Sequence, residues 1–81
     1  MFEAFKTYFK PSEKYYINIS DNDIYVFNYL KINKLTDKEV ELELPNKIVI
    51  IEGIGLKVSK MVKGEILIKG KLSNLRYRAD E

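Results

Sequence analysis

The chain has 81 residues, of which 46% are hydrophobic and 32% charged, with a formal net charge of +2 and neither cysteine nor histidine. That balance describes one folded domain with a modest core. It excludes a disulfide framework, thiolate or imidazole metal sites, and Ser-His-Asp or Cys-His nucleophile systems. No apolar run approaches the roughly 18–20 residues of a membrane-spanning helix, and Met1-Phe-Glu-Ala-Phe-Lys6 lacks the apolar core of a secretory signal, so a cytoplasmic protein is expected.

The first segment places Phe2, Phe5 and Phe9 at helical spacing with Ala4 and Tyr8 beside them, and Pro11 closes it because the residue before a proline avoids the α region. The expectation is a short amphipathic helix within residues 1–11, followed by a single β domain over residues 12–81. Tyr15 to Ser20 alternates, with Tyr15, Ile17 and Ile19 on one face. Asp21-Asn22-Asp23 reads as a turn in which Asx side chains bond local backbone. Ile24 to Phe27 is a strand rich in β-branched and aromatic residues, and Asn28 interrupts it as a bend or bulge. Tyr29 to Leu35 forms the next strand, with Leu30 and Ile32 inward, and Thr36-Asp37-Lys38 turns the chain.

Glu39 to Leu44 alternates without error. Val40, Leu42 and Leu44 face one way and Glu39, Glu41 and Glu43 the other, as in a half-buried strand. Side chains two apart along a strand lie about 7 Å from each other. The three carboxylates are therefore read as a solvated face with Lys31 or Lys47 opposite, not as a metal or acid–base cluster. Pro45-Asn46 connects this strand to Ile48-Val-Ile-Ile51, where alternation is lost and both faces should be covered. Within that strand Val49 and Ile51 are assigned the outward positions.

Gly53-Ile54-Gly55 bends the chain, and Leu56 and Val58 then face inward. Met61 continues the apolar set after a one-residue phase slip. Val62-Lys63-Gly64 turns again. Ile66 and Ile68 face inward and Leu67 and Lys69 outward, and Gly70 marks a bend or a close backbone approach. Leu72 shares parity with Ile66 and Ile68, whereas Leu75 and Tyr77 have the opposite parity. An extra residue near Ser73-Asn74 is needed to bring both sets inward. About eight short strands in sequential hairpins give an all-β fold, a small antiparallel sandwich, roll or barrel.

Residues 48–77 resemble the YabP/YqfC family of sporulation proteins. The shared features are an apolar strand ending in Glu52-Gly53, then Leu56-Lys-Val58, then Gly64-Glu-Ile66-Leu-Ile68-Lys-Gly70, then Leu72 and a closing Leu75-Arg-Tyr77. Upstream, Leu35-Thr-Asp-Lys-Glu-Val40 fits the turn and strand before this block, which extends the resemblance over about residues 15–78. The resemblance implies a non-enzymatic, sporulation-associated protein of the mother-cell compartment or forespore surface. It implies no catalytic, cofactor or metal residue.

A protein–protein interaction or assembly module of the spore coat or envelope is therefore expected, acting on a protein partner or on itself. The candidate surface comprises Val49, Ile51, Leu67, Phe2, Phe5 and Phe9, and the three phenylalanines also offer an arm for a membrane surface. The alternative is a small β-barrel binder of single-stranded nucleic acid or another polyanion. Residues 1–45 carry six lysines against eight acids and residues 46–81 eight basic residues against four acids. The alternative would combine Lys57, Lys69, Lys71, Arg76 and Arg78 with Tyr25 and Tyr29.

Overall fold

The computed structural model describes residues 14–79. The helix expected within residues 1–11, with Phe2, Phe5 and Phe9, lies outside them. Six strands form: β1 (Tyr16–Ile19), β2 (Asp23–Phe27), β3 (Lys31–Leu35), β4 (Glu39–Leu44), β5 (Lys47–Val62) and β6 (Glu65–Ala79). They pair antiparallel in one open sheet of order β1-β2-β6-β5-β4-β3.

The strand count corrects the expectation of about eight. The glycines of residues 53–55 and Gly70 bend the chain without ending a strand, so each of two expected pairs runs on as one strand, β5 and β6. The bend is absorbed by displaced register. Ile54 pairs with Lys71 and Lys57 with Lys69, which leaves two residues of β5 opposite Gly70. Ser59 is skipped between the Val58–Ile68 and Lys60–Leu67 pairs, which is the phase slip before Met61. Ser73 is skipped between Gly53–Leu72 and Glu52–Asn74. That extra residue is the one the conflicting parities of Leu72 and Leu75 required, and both side chains pack against the core.

Connectivity forces the sheet to fold over. β2 and β3 are the second and the last strands of the sheet. Laid flat, they would stand about 19 Å apart, four strand spacings. Only residues 28–30 join them, a link that reaches about 14 Å from Phe27 to Lys31 when fully extended. The long β5–β6 hairpin therefore creases near residues 53–56 and 70, and two half-sheets face each other. One half comprises β1, β2 and the hairpin end of β5–β6. The other comprises β3, β4 and the far ends of β5 and β6.

Backbone groups released at the crease are taken up by the tips of the two outer hairpins. Gly53 and Leu56 donate to the carbonyls of Lys38 and Asp37 at 3.0 and 2.8 Å, and Gly70 donates to Asn22 at 3.0 Å. The approach is close. A Cβ on Gly53 would collide with the Lys71 carbonyl, and one on Gly70 would lie 2.8 Å from the Gly55 carbonyl oxygen. At the β2–β3 link, Asn28 takes a φ of 69° and its Nδ2 donates to the Lys14 carbonyl at 2.6 Å.

Between the halves lies the core. Ile24, Val26, Leu56, Ile66 and Ile68 come from one half, and Val40, Leu42, Leu44, Val49 and Ile51 from the other. Each fully buried side chain of this size contributes roughly 1.5–3 kcal/mol relative to exposure. Leu30, expected inward, is instead exposed, because it belongs to the link and precedes β3.

Candidate functional site: two outer faces

A creased sheet has one inner surface and two outer faces, and here the outer faces differ in kind. On the half containing β4, the register sets Glu43, Ile48 and Arg78 in one row and Glu41, Ile50 and Arg76 in the next. Arg78 Nη2 meets Glu41 Oε2 at 2.8 Å. Those residues stand on β6 and β4, so the ion pair crosses the whole width of β5 and lies over Ile48 and Ile50. The arginine stem supplies apolar cover while its head stays hydrated.

Glu52 accepts from Asn74 Nδ2 at 2.9 Å and from Arg76 Nη2 at 3.1 Å, and these bonds hold its carboxyl below the usual carboxylate range. Lys34 bonds Glu39 at 2.7 Å, which raises the lysine above its ordinary value. Asn33 donates to Glu41 at 3.3 Å. Ile50 beneath this lattice is 2% exposed.

The glutamate face is thus a paired face, and Lys34, Asn33 and Arg78 supply most of its partners. Lys31 stands opposite Glu43 in register, as anticipated. Lys47 does not join it. Its ammonium sits 5.3 and 5.0 Å from the ring centroids of Tyr15 and Tyr77 and donates to the Tyr15 hydroxyl at 3.4 Å.

The other outer face carries a cleft of about 500 Å³. Its walls are Tyr16 and Tyr25, with ring centroids 6.4 Å apart and planes inclined by 56°. Leu67 pairs with Tyr25 in register and forms the floor, and Val62, opposite Glu65 on the same face, continues it toward the hairpin tip, while Met61 pairs with Ile66 and borders the cleft from the core side of the sheet. Both Met61 and Val62 are exposed. Asn18, Asp23, Lys60 and Glu65 bring polarity to the cleft, and Lys69 bonds Asp23 at 3.1 Å. Burial, and then the negative charge of Glu65, push ionisation of the Tyr25 phenol well above its ordinary value. Two tyrosines that are apolar in body and polar at the tip, above an aliphatic floor, suit contact with protein side chains.

The residues singled out in the sequence separate accordingly. Leu67 lies in the cleft. Val49 and Ile51 do not reach any surface, which reverses their assigned orientation: they pair with Leu42 and Val40 of β4, face the core and are fully buried. Ile48 and Ile50 take the outer positions. All four are buried, so the strand is covered on both faces as its composition required.

In the cation and aromatic set of the polyanion alternative, Lys57 and Lys69 stand opposite each other in register with Lys71 two residues farther along β6, whereas Arg76 and Arg78 lie toward the far end of that strand. Lys69, Arg76 and Arg78 are each paired with a carboxylate, the Tyr29 hydroxyl donates to the Val62 carbonyl at 3.3 Å, and Tyr25 stands beside Glu65. Among the described residues there is no cluster of three or more His, Cys, Asp or Glu side chains that could hold a metal ion, and no helix long and apolar enough to cross a membrane.

Tyr16, Tyr25 and Val62 were not picked out by sequence reasoning as parts of one surface. Parity alone places Tyr25 opposite to Ile24 and Val26. Its meeting with Leu67 depends on the β2–β6 pairing, which joins residues about forty positions apart and has no local signal. No family model, curated protein or solved structure matches the chain.

Proposed function

We propose that this protein is a non-enzymatic interaction and assembly module whose contact surface is the tyrosine-walled cleft on the outer face of β1, β2, β6 and β5. The observation that carries this reading is the contrast between the outer faces. One has its apolar residues sealed beneath ion pairs. The other leaves Leu67 half-buried and Val62 exposed beside two tyrosines. An apolar patch rimmed by polar residues is characteristic of surfaces that meet another protein. In the setting implied by the resemblance of residues 15–78 to YabP/YqfC proteins, the role is assembly of the spore coat or envelope.

The test is light scattering across a range of concentrations, with Leu67→Arg and Val62→Asp as variants. Growth in mass beyond a dimer for the native chain, lost in both variants while their melting temperatures hold, supports the reading. A native chain that never grows beyond a dimer, or variants that assemble as the native chain does, removes it.

A further inference from the structure

An open sheet has two edges, and their chemistry differs. The β3 edge carries Lys31 and Lys34 and has an irregular register between Ile32 and Lys34. Lysines and bulges on an edge are devices that discourage pairing with another strand, and two β3 edges brought together would oppose like charges. The β1 edge has no such device. Tyr16-Ile-Asn-Ile19 holds no charged residue and no proline, and its pairing with β2 is uninterrupted. Among the described residues no strand lies beyond it, and Ile19 is 44% exposed.

We propose that β1 is a self-pairing edge, on which a second copy of this chain adds its own β1 in antiparallel register about a two-fold axis through Asn18. This rests on the reading that the cleft-bearing half is the contact half of the molecule. The backbone supplies the register. Ser20 N–H donates to the Asp23 carbonyl at 2.9 Å, so the polar backbone groups of alternate residues Asn18 and Ser20 face β2. Those of Ile17 and Ile19 face away from it.

With the axis at Asn18, Ile17 of each copy stands opposite Ile19 of the other, and the two pairs exchange N–H···O bonds. Isoleucine meets isoleucine on the core side, where Ile17 already packs. On the outer side Asn18 meets Asn18 as a non-hydrogen-bonded pair, about 4.5 Å between Cα atoms. An axis two backbone positions earlier would draw Tyr15 into the ladder. Tyr15 precedes β1, and its ring is engaged with Tyr77 and Lys47. Pairing at Asn18 joins two six-stranded sheets and sets their clefts side by side on one continuous outer face. The contact is isologous and closes at the dimer, so growth beyond a dimer belongs to the cleft.

The chain has no cysteine, so a single one reports on this register. A Cα separation near 4.5 Å is within disulfide range. The Asn18→Cys variant, oxidised and run on a non-reducing gel, is expected to form a covalent dimer at least tenfold faster than Asn33→Cys on the β3 edge. Adding Ile19→Lys should slow that reaction at least tenfold, and in the Leu67→Arg background, where the cleft is blocked, adding Ile19→Lys should convert a dimer to a monomer by light scattering with an unchanged melting temperature.

Equal cross-linking of the two cysteine variants, no cross-linking of Asn18→Cys, or a Leu67→Arg/Ile19→Lys variant that is still dimeric would overturn the proposal. The two readings fail separately. If Asn18→Cys does not cross-link while the native chain still assembles in a manner sensitive to Leu67→Arg, the edge pairing falls and the cleft stands. If it cross-links while Leu67→Arg assembles as the native chain does, the cleft falls and the edge stands.

Discussion

The two outer faces of the creased sheet are built from the same kind of strand but finished differently. On the β4 side, two isoleucines pointing away from the core are kept dry by side chains of the sheet itself, because Glu41 and Arg78 reach toward each other across β5. On the β2 side, the equivalent outward positions hold Tyr16, Tyr25 and Leu67, and the Lys69–Asp23 ion pair stands at the rim. An apolar residue at an outward strand position therefore does not by itself mark a contact surface. What matters is whether its cross-strand neighbours are long and oppositely charged enough to close over it.

The contrast can be broken most severely from beneath. Val49→Asp places a charge in the core that both halves share, and the domain is expected not to fold, as circular dichroism would show. Ile50→Ala probes the sealed face. Because Ile50 is buried as a core residue would be, its truncation should cost about 2–4 kcal/mol in urea unfolding, whereas Leu67→Ala on the cleft floor should cost about 1 kcal/mol. Equal costs would mean that the two faces are finished alike.

A smaller effect is expected from the ion pair. A double-mutant cycle on Glu41→Gln and Arg78→Gln should give a coupling of about 0.2–1 kcal/mol, the range of partly exposed pairs, and the coupling should shrink in high salt. The smallest signal lies on the alkaline side. Burial, then the neighbouring Tyr15, push the Tyr77 phenol up to about 12, and Tyr25 is raised as well. A raised phenol favours the folded state while protonated. That contribution is fully present below about pH 10, the ordinary tyrosine value, and is lost as pH rises through the folded value. An ultraviolet titration should therefore show late-ionising tyrosines, fewer in Tyr25→Phe and Tyr77→Phe.

Much of this architecture was legible in the chain. Glu39 to Leu44 declared its buried face by alternation. The slip before Met61 and the extra residue at Ser73 followed from parity, but the slip only sets Met61 opposite Ile66, and at the end of the hairpin its side chain stays exposed instead of joining the core. What parity could not decide was the direction of Ile48-Val-Ile-Ile51. A run of four apolar residues has no polar member to mark the outside, so the choice fell to pairing with β4, where Val40 and Leu42 draw Ile51 and Val49 inward.

Strand number was misread for a related reason. Gly53, Gly55 and Gly70 bend β5 and β6 together, and two strands that bend together keep their ladder. The cleft was least legible, because Tyr16, Tyr25 and Leu67 meet through the β2–β6 pairing. The local hints were the outward parities of Leu67, next to Ile66 and Ile68, and of Tyr25, between Ile24 and Val26.

We propose that contact with other chains belongs to the cleft and the β1 edge, and not to the ion-paired face. Amide chemical shifts followed as protein concentration is raised test it most directly. Concentration-dependent shifts should be confined to residues 16–20, Tyr25, residues 60–62 and Leu67, with Glu41, Ile50 and Arg78 unmoved. Shifts centred on Glu41, Ile50 and Arg78, or no dependence on concentration anywhere in the sheet, would contradict it.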